Sequence, residues 1–236
     1  MGLLQRLLRV LFYVAVGGVI SIVGAAVFFM NWEPDRGKHS LRGIDVSHHQ
    51  GEIDWYRVAA DDVAFVYIKA SEGGDFLDTT FEQNWRGANA AGLAWGAYHF
   101  FNLCRPGAEQ ADNFLAALPK GEAQLAPVLD LELDGNCALR PPAEDVLADI
   151  STFVTRVEQA TGQAVILYAP EEFYRRYLKG QGLNRRLWVR SIWRSPSYAD
   201  SWSLWQYHQR GEVAGIDGDV DLNILAPDLS LENLIK

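Results

Sequence analysis

Apolar positions fall along this chain in contrasting patterns. Residues 10–30 contain no charge, and Arg6 and Arg9 stand just before them. A helix needs about 20 apolar residues to cross the hydrocarbon layer, so this run is long enough. It is apolar on every face, unlike a core helix with one buried stripe. A cleavable signal carries a shorter apolar core, of about 7–15 residues. Gly24-Ala25-Ala26 could serve as a cleavage site, but Val27-Phe28-Phe29-Met30 prolongs the run beyond it, which favours an uncleaved signal anchor. Arg6 and Arg9 would hold the N-terminus in the cytoplasm and leave everything after Asn31 outside the membrane.

Beyond a polar linker (residues 32–41), short apolar runs alternate with helix-like segments. Residues 43–46, 64–69, 94–100, 126–133, 164–168, 187–192 and 203–207 read as strands, and a last short one falls near 220–222. They are rich in β-branched and aromatic residues and bounded by Gly, Pro or polar clusters. Residues 80–91, 108–118 and 143–160 read as helices, with a shorter one at 170–178. In the third, Val146, Ile150, Phe153, Val154 and Val157 make one apolar stripe, with Pro141-Pro142 before it and Gly162 after. Such alternation predicts a largely parallel sheet covered by helices. The number of strands points to a closed barrel; an open doubly wound sheet would need a Gly-rich phosphate turn, which is missing. The chain is thus divided into an anchor (1–31), a linker (32–41) and a single domain (42–236).

Composition narrows the functional classes. The net charge is −9 and no basic run occurs, which argues against nucleic acid. Eight Trp and nine Tyr are many for 236 residues. They fill a core, and their flat faces also suit a groove that stacks on sugar rings. Cys104 and Cys137 each follow a predicted strand, so in an oxidising compartment they could meet as a disulfide; two buried free thiols are the alternative.

Functional groups of a β/α barrel gather at the C-terminal strand ends. There stand Asp45, Glu72, Asp130, Glu132, Asp219 and Asp221, with Lys69 the nearest counter-charge. Asp130 and Glu132, two apart, would share one face with Cα atoms about 6–7 Å apart. Burying both among Val128, Leu129, Leu131 and Leu133 is costly without partners or a task. Repulsion and desolvation would raise one pKa, leaving a proton donor beside a carboxylate, the division that glycosidic cleavage uses. An isolated Asp-x-Glu also suits a solvated edge or a divalent-cation site. His48 and His49, on an extended chain, would point apart. Neither zinc spacing nor a Gly-x-Ser-x-Gly elbow occurs, and Cys104 with His99 is a weaker nucleophile–base pair. No cofactor or metal is expected.

Gly43-Ile44-Asp45-Val46-Ser47-His48-His49-Gln50-Gly51, followed by Ile53-Asp54-Trp55, resembles the opening of the family 25 glycoside hydrolases, lysozymes acting as N-acetylmuramidases. Tyr67-Ile68-Lys69-Ala70-Ser71-Glu72-Gly73, with Asp78 after it, resembles the family's second signature. Gly96-Ala97-Tyr98-His99-Phe100, the run from Pro127 through Glu132, Leu204-Trp205-Gln206-Tyr207 and Val220-Asp221-Leu222-Asn223 match further blocks in order. The resemblance implies an irregular β/α barrel, about five β/α units and then strands without full helices. It implies hydrolysis of the β-1,4 bond between N-acetylmuramic acid and N-acetylglucosamine. Glu132 resembles the general acid and Asp130 its partner, as nucleophile or as the group orienting the substrate's acetamido arm. Asp45 and Asp221 resemble the other two acids of the site. Tyr67, Glu72, Tyr98, Tyr168, Trp188 and Gln206 are candidates for the sugar-binding wall, with barrel packing the alternative for the aromatics. The implied partner is the peptidoglycan glycan strand. Together with the anchor this predicts a single-pass protein of the cytoplasmic membrane, its catalytic domain on the extracytoplasmic side. Two other readings remain open: a catalytically silent peptidoglycan-binding module, and a glycosidase for another acetamido-sugar polymer.

Overall fold

The computed structural model describes residues 2–119 and 125–235, which divide into two compact units, 1–33 and 34–236. The first unit is one helix, α1 (Leu3–Met30), 28 residues long, with no buried residue. At about 1.5 Å per residue such a helix outspans a bilayer's hydrocarbon core. It is long and apolar enough to cross a membrane. Within the apolar run the Ser21 hydroxyl donates to the Gly17 carbonyl at 2.9 Å, which satisfies it inside the helix.

The second unit is an eight-stranded barrel. Strands β1 (Arg42–Val46), β2 (Phe65–Glu72), β4 (Ala94–Phe100), β5 (Val128–Asp130), β6 (Ile166–Pro170), β7 (Leu187–Arg190) and β8 (Leu204–Gly211) pair in parallel in that order. The last, β9 (Val220–Leu225), lies antiparallel between β8 and β1 and closes the ring. A two-residue strand, β3 (Phe76–Leu77), folds back on the end of β2. Helices α2 (Trp55–Ala59), α3 (Phe81–Ala90), α4 (Gly107–Ala117), α5 (Ala143–Thr161) and the short α6 (Glu171–Phe173), continued by a π turn to Leu178, follow the first five barrel strands. Nothing helical separates β7, β8 and β9 among the described residues. The five β/α units and the helix-free end match what the family resemblance implies; the pattern of the residues showed four of the five helices, and α2 and β3, too short to show a period, were not legible there.

Alternate residues point into the barrel. Phe65, Val128, Ile166, Leu204, Leu225 and Leu234 form its lower core, with Tyr67, Tyr168 and Trp188 packed among them. Large rings need open backbone opposite: a Cβ on Gly43 would sit 2.3 Å from the Phe65 ring, and one on Gly96 2.5 Å from that of Tyr67. The buried stripe of α5 is the one expected, Val146, Ile150, Phe153, Val154 and Val157.

Strand β5 is shorter than the apolar run suggests, Val128–Asp130 rather than 126–133. The reason lies in Asn136, whose Nδ2 donates to the carbonyls of Glu132 (3.0 Å) and Phe101 (2.7 Å) while its Oδ1 accepts from Leu103 N (2.8 Å). A side-chain amide thus replaces strand pairing, and Glu132 sits on a clamped loop beyond the strand. The Cys104–Cys137 disulfide, formed as expected, ties the same two loops together. It closes a span of 33 residues. A double Cys104→Ser, Cys137→Ser variant should lose about 2–4 kcal/mol. Calorimetry should show its melting temperature lowered by about 5–15 °C; an unchanged value would remove the clamp from the stability of the barrel.

Candidate active site

The C-terminal strand ends surround a cavity of about 160 Å³ lined by Asp45, Asp130, Glu132 and Asp221, with Lys69, Tyr98, Tyr168, Trp188 and Gln206 among its walls. The four acids come from four separate segments: β1, β5, the loop after β5, and β9. Asp45 and Asp221 are direct partners across the antiparallel β1–β9 pairing, which places their carboxyls together.

Asp45 is held by a directed set of hydrogen bonds. Trp188 Nε1 can only donate, and it donates to Asn223 Oδ1 at 3.0 Å, which turns Asn223 Nδ2 toward Asp45 Oδ1 at 2.6 Å. Tyr168 Oη donates to Gln206 Oε1 at 2.8 Å, so Gln206 Nε2 faces the same Asp45 oxygen at 3.3 Å. The polar ends of Trp188, Tyr168 and Gln206 are thereby committed to the acid, and their remaining surface lines the cavity. Asp130 differs: it is buried, and its Oδ1 has no hydrogen-bond partner among the described residues. Glu132 is half-buried, its Oε2 3.6 Å from Arg190 Nη1.

Two wall candidates lie elsewhere. Tyr67 is fully buried under the cavity, its ring 5.1 Å from that of Trp188, and belongs to the barrel core. Glu72 is turned to Lys69 Nζ at 2.7 Å and does not line the cavity. Lys69 does, its ammonium lying 5.0 Å from the Phe100 ring centre and 5.5 Å from that of Phe76. Asp219 is exposed beside Arg210. His48 and His49 do not point apart: Ser47 caps a 3-10 turn (His48–Gln50), and the rings lie against each other, centroids 4.1 Å apart and planes tilted by 39°. His49 lines the cavity, while His48 Nδ1 lies 2.8 Å from Asp78. His99 faces outward, buried between Ser71 and Gln110, and Cys104 is in the disulfide, so the two form no catalytic pair. Arg190 and Asn223 were not among the site candidates read from the sequence; Asn223 could have been found as the residue two past Asp221, on the same face.

A family model, "Glycosyl hydrolases family 25", matches residues 44–216. The chain belongs to glycosyl hydrolase family 25. Lysozyme M1 of Streptomyces globisporus is 33% identical over 199 residues, covering 78% of this chain and 67% of that one. YegX of Escherichia coli K12 is 34% identical over 193 residues, covering 79% of this chain and 70% of that one. The structure of a family 25 glycosyl hydrolase from Bacillus anthracis superposes with a TM-score of 0.79 at 36% identity, over 87% of this chain and 97% of that one. This chain is a glycoside hydrolase of the lysozyme type.

In the family 25 barrel all four cavity acids hold protons more tightly than in water. Burial pushes Asp45 up to about 6, partly offset by the Asn223 and Gln206 hydrogen bonds. Burial and the negative charge of Asp45 push Asp221 to about 9, so Asp221 keeps the proton of that pair. Burial pushes Glu132 to about 7 against the pull of Arg190. Asp130 is raised well above its ordinary value by burial and by the charges of Glu132 and Asp45, with Lys69 opposing. Asp78 goes the other way: burial is outweighed by hydrogen bonds from His48 and Thr80, which hold it low.

A carboxyl whose folded pKa is raised stabilises the fold at low pH and loses that contribution as pH climbs through the folded value. The loss begins near the ordinary values of 3.8 (Asp) and 4.5 (Glu) and is complete at about 6 for Asp45, about 7 for Glu132 and about 9 for Asp221. The melting temperature should therefore fall between pH 5 and pH 9, and Asp221→Asn should flatten that slope and raise the value at the alkaline end. A melting temperature that climbs over this range would contradict the assigned shifts.

Proposed function

We propose that the four carboxylates are the catalytic centre with which this lysozyme cleaves the β-1,4 bond after N-acetylmuramic acid, Glu132 acting as the general acid. The observation that carries this is the pairing of a half-buried carboxyl, pushed to about 7 and open to the cavity, with a buried neighbour, Asp130, that has an unpartnered oxygen. The proton of Glu132 goes to the departing glycosidic oxygen. Asp130 works at the sugar carbon, as nucleophile or by accepting the N–H of the substrate's acetamido group, and its vacant Oδ1 serves either task. Asp45, ionised at neutral pH and backed by protonated Asp221, stabilises positive charge developing on the ring. The faces of Tyr98, Tyr168 and Trp188 give the sugar its bed. With Glu132 holding the proton, its charge no longer raises Asp130, and Lys69 is the cation that eases the ionised Asp130.

Digestion of purified peptidoglycan by the full chain in detergent, with mass spectrometry of the new reducing ends, tests the reaction. Muramic-acid ends are expected. Glucosamine ends would redirect the assignment to another acetamido-sugar bond, and binding without cleavage would make the chain a silent binding module. Glu132→Gln should lower kcat by about 10²–10⁴ with binding kept; a wild-type rate in that variant removes the proposed acid. The rate should fall as pH rises through about 7, where Glu132 loses its proton, and below about 6, where Asp45 gains one. A covalent adduct with a 2-fluoro glycoside would make Asp130 the nucleophile; tight binding of a thiazoline analogue without an adduct would make it the orienter.

The helix Leu3–Met30 supports a tether that holds the enzyme at the cytoplasmic membrane with its barrel outside. Membranes stripped with alkaline carbonate should retain the chain, and detergent should release it. Recovery in the carbonate wash would remove the anchor.

A further inference from the structure

A second hollow, of about 550 Å³, opens beside the catalytic cavity. The two adjoin at one ion pair: Glu132 lines the first and Arg190 the second, 3.6 Å apart. Asp130 lines only the first, while Asp134, two residues past Glu132, lines the second. Passing from Asp130 over Glu132 therefore leads into this hollow. On its wall stands Trp193, 51% exposed.

An indole gains most from burial, so a tryptophan half in water on a fixed turn calls for a reason. The backbone sharpens the point. Trp193 has a φ of +63°, a left-handed conformation that a bulky L residue rarely adopts and only under strain. Its turn is tied at both ends. Ser191 N donates to Gln206 O at 3.1 Å and Ser191 O accepts from Trp205 Nε1 at 2.7 Å, which fixes the entry to β8. On the far side, Arg194 Nη2 lies 3.8 Å from Glu171 Oε2. The chain is thus held in a strained conformation that presents a broad aromatic face beside the proton donor.

Chemistry gives that side of the cavity an identity. A general acid protonates the oxygen that leaves, so the sugar carrying that oxygen lies beyond the acid, away from the carboxylate at the sugar carbon. We propose that Trp193 is the stacking platform for the departing acetamido sugar, with Arg190 marking the boundary between the two sides of the scissile bond. The proposal rests on the catalytic reading of Glu132 above. A flat indole matches the apolar face of a hexopyranose ring, and the hollow's polar groups, Glu172 and Asp134 among them, suit its hydroxyl and amide edges. Binding energy gathered there would hold the leaving oxygen against the Glu132 proton.

The test compares two substrates with the full chain in detergent: peptidoglycan glycan strands, which fill both sides, and a glycosyl fluoride of the same donor sugars, which has no departing ring. Trp193→Ala should lower kcat/KM on glycan strands by about ten-fold, the scale of a lost aromatic anchor. On the fluoride it should stay within about two-fold of the parent, and Trp193→Phe should recover most of the loss on glycan. Equal losses on both substrates would make Trp193 a structural residue, and no loss on glycan would remove the platform; either overturns the proposal. If the parent cleaves neither substrate, the catalytic reading fails, and binding then decides the platform separately. Soluble glycan fragments should bind Glu132→Gln about ten-fold more tightly than Glu132→Gln with Trp193→Ala; equal affinities overturn the proposal in that case too.

Discussion

Asp45, Asp130, Glu132 and Asp221, buried or half-buried, share one cavity, with Lys69 and Arg190 the cations acting on them. Four negative charges could not stand there together, because desolvation and mutual repulsion both favour the protonated forms. The structure answers by treating each acid differently. Asp45 receives two amide donors and ionises first; Asp221, across the β-ladder, keeps its proton and donates to it. Glu132 is drawn part-way toward ionisation by Arg190, and Asp130 has only Lys69 to ease its charge. The barrel has therefore given up part of its acid-side stability at the pH values where its acids separate into donor and acceptor.

The rest of the mouth can be read as support for that division. A tryptophan can donate but never accept, so Trp188 sets the orientation of Asn223, and Asn223 in turn sets the oxygen of Asp45 that is bonded. Tyr168 does the same for Gln206. These aromatics serve twice, as walls of the cavity and as the fixed ends of a hydrogen-bond chain. Asn136 and the Cys104–Cys137 bond perform the corresponding task for Glu132, which has left the sheet and needs another source of rigidity.

Much of this was legible in the sequence because it follows from period and position. The alternation of strands and helices, the helix-free end, the stripe on α5 and the acids at strand ends all depend on local spacing. What was not legible depends on where the chain departs from regular structure. The acids two apart were expected on one strand face, yet the side-chain amide of Asn136 ends that strand first. The histidines were expected to diverge, yet Ser47 caps a turn that brings their rings together. Tyr67 looked like a groove residue by its neighbours in sequence, but its ring is needed to fill the barrel over Gly96. Arg190 is a cation in a list of acids, and only the folded geometry shows it beside Glu132.

Arg190 also gives the groove a direction. On one side of its guanidinium lie the buried acids and the aromatic bed; on the other lies an open hollow walled by exposed side chains. In the proposed reaction the first side would hold the ring being cleaved, and several of its polar groups are already bonded to one another. The second would hold the departing ring only until its oxygen is protonated and then release it. An exposed face such as that of Trp193 suits this second task better than an enclosed pocket would, because stacking gathers affinity from one surface and leaves the way out open.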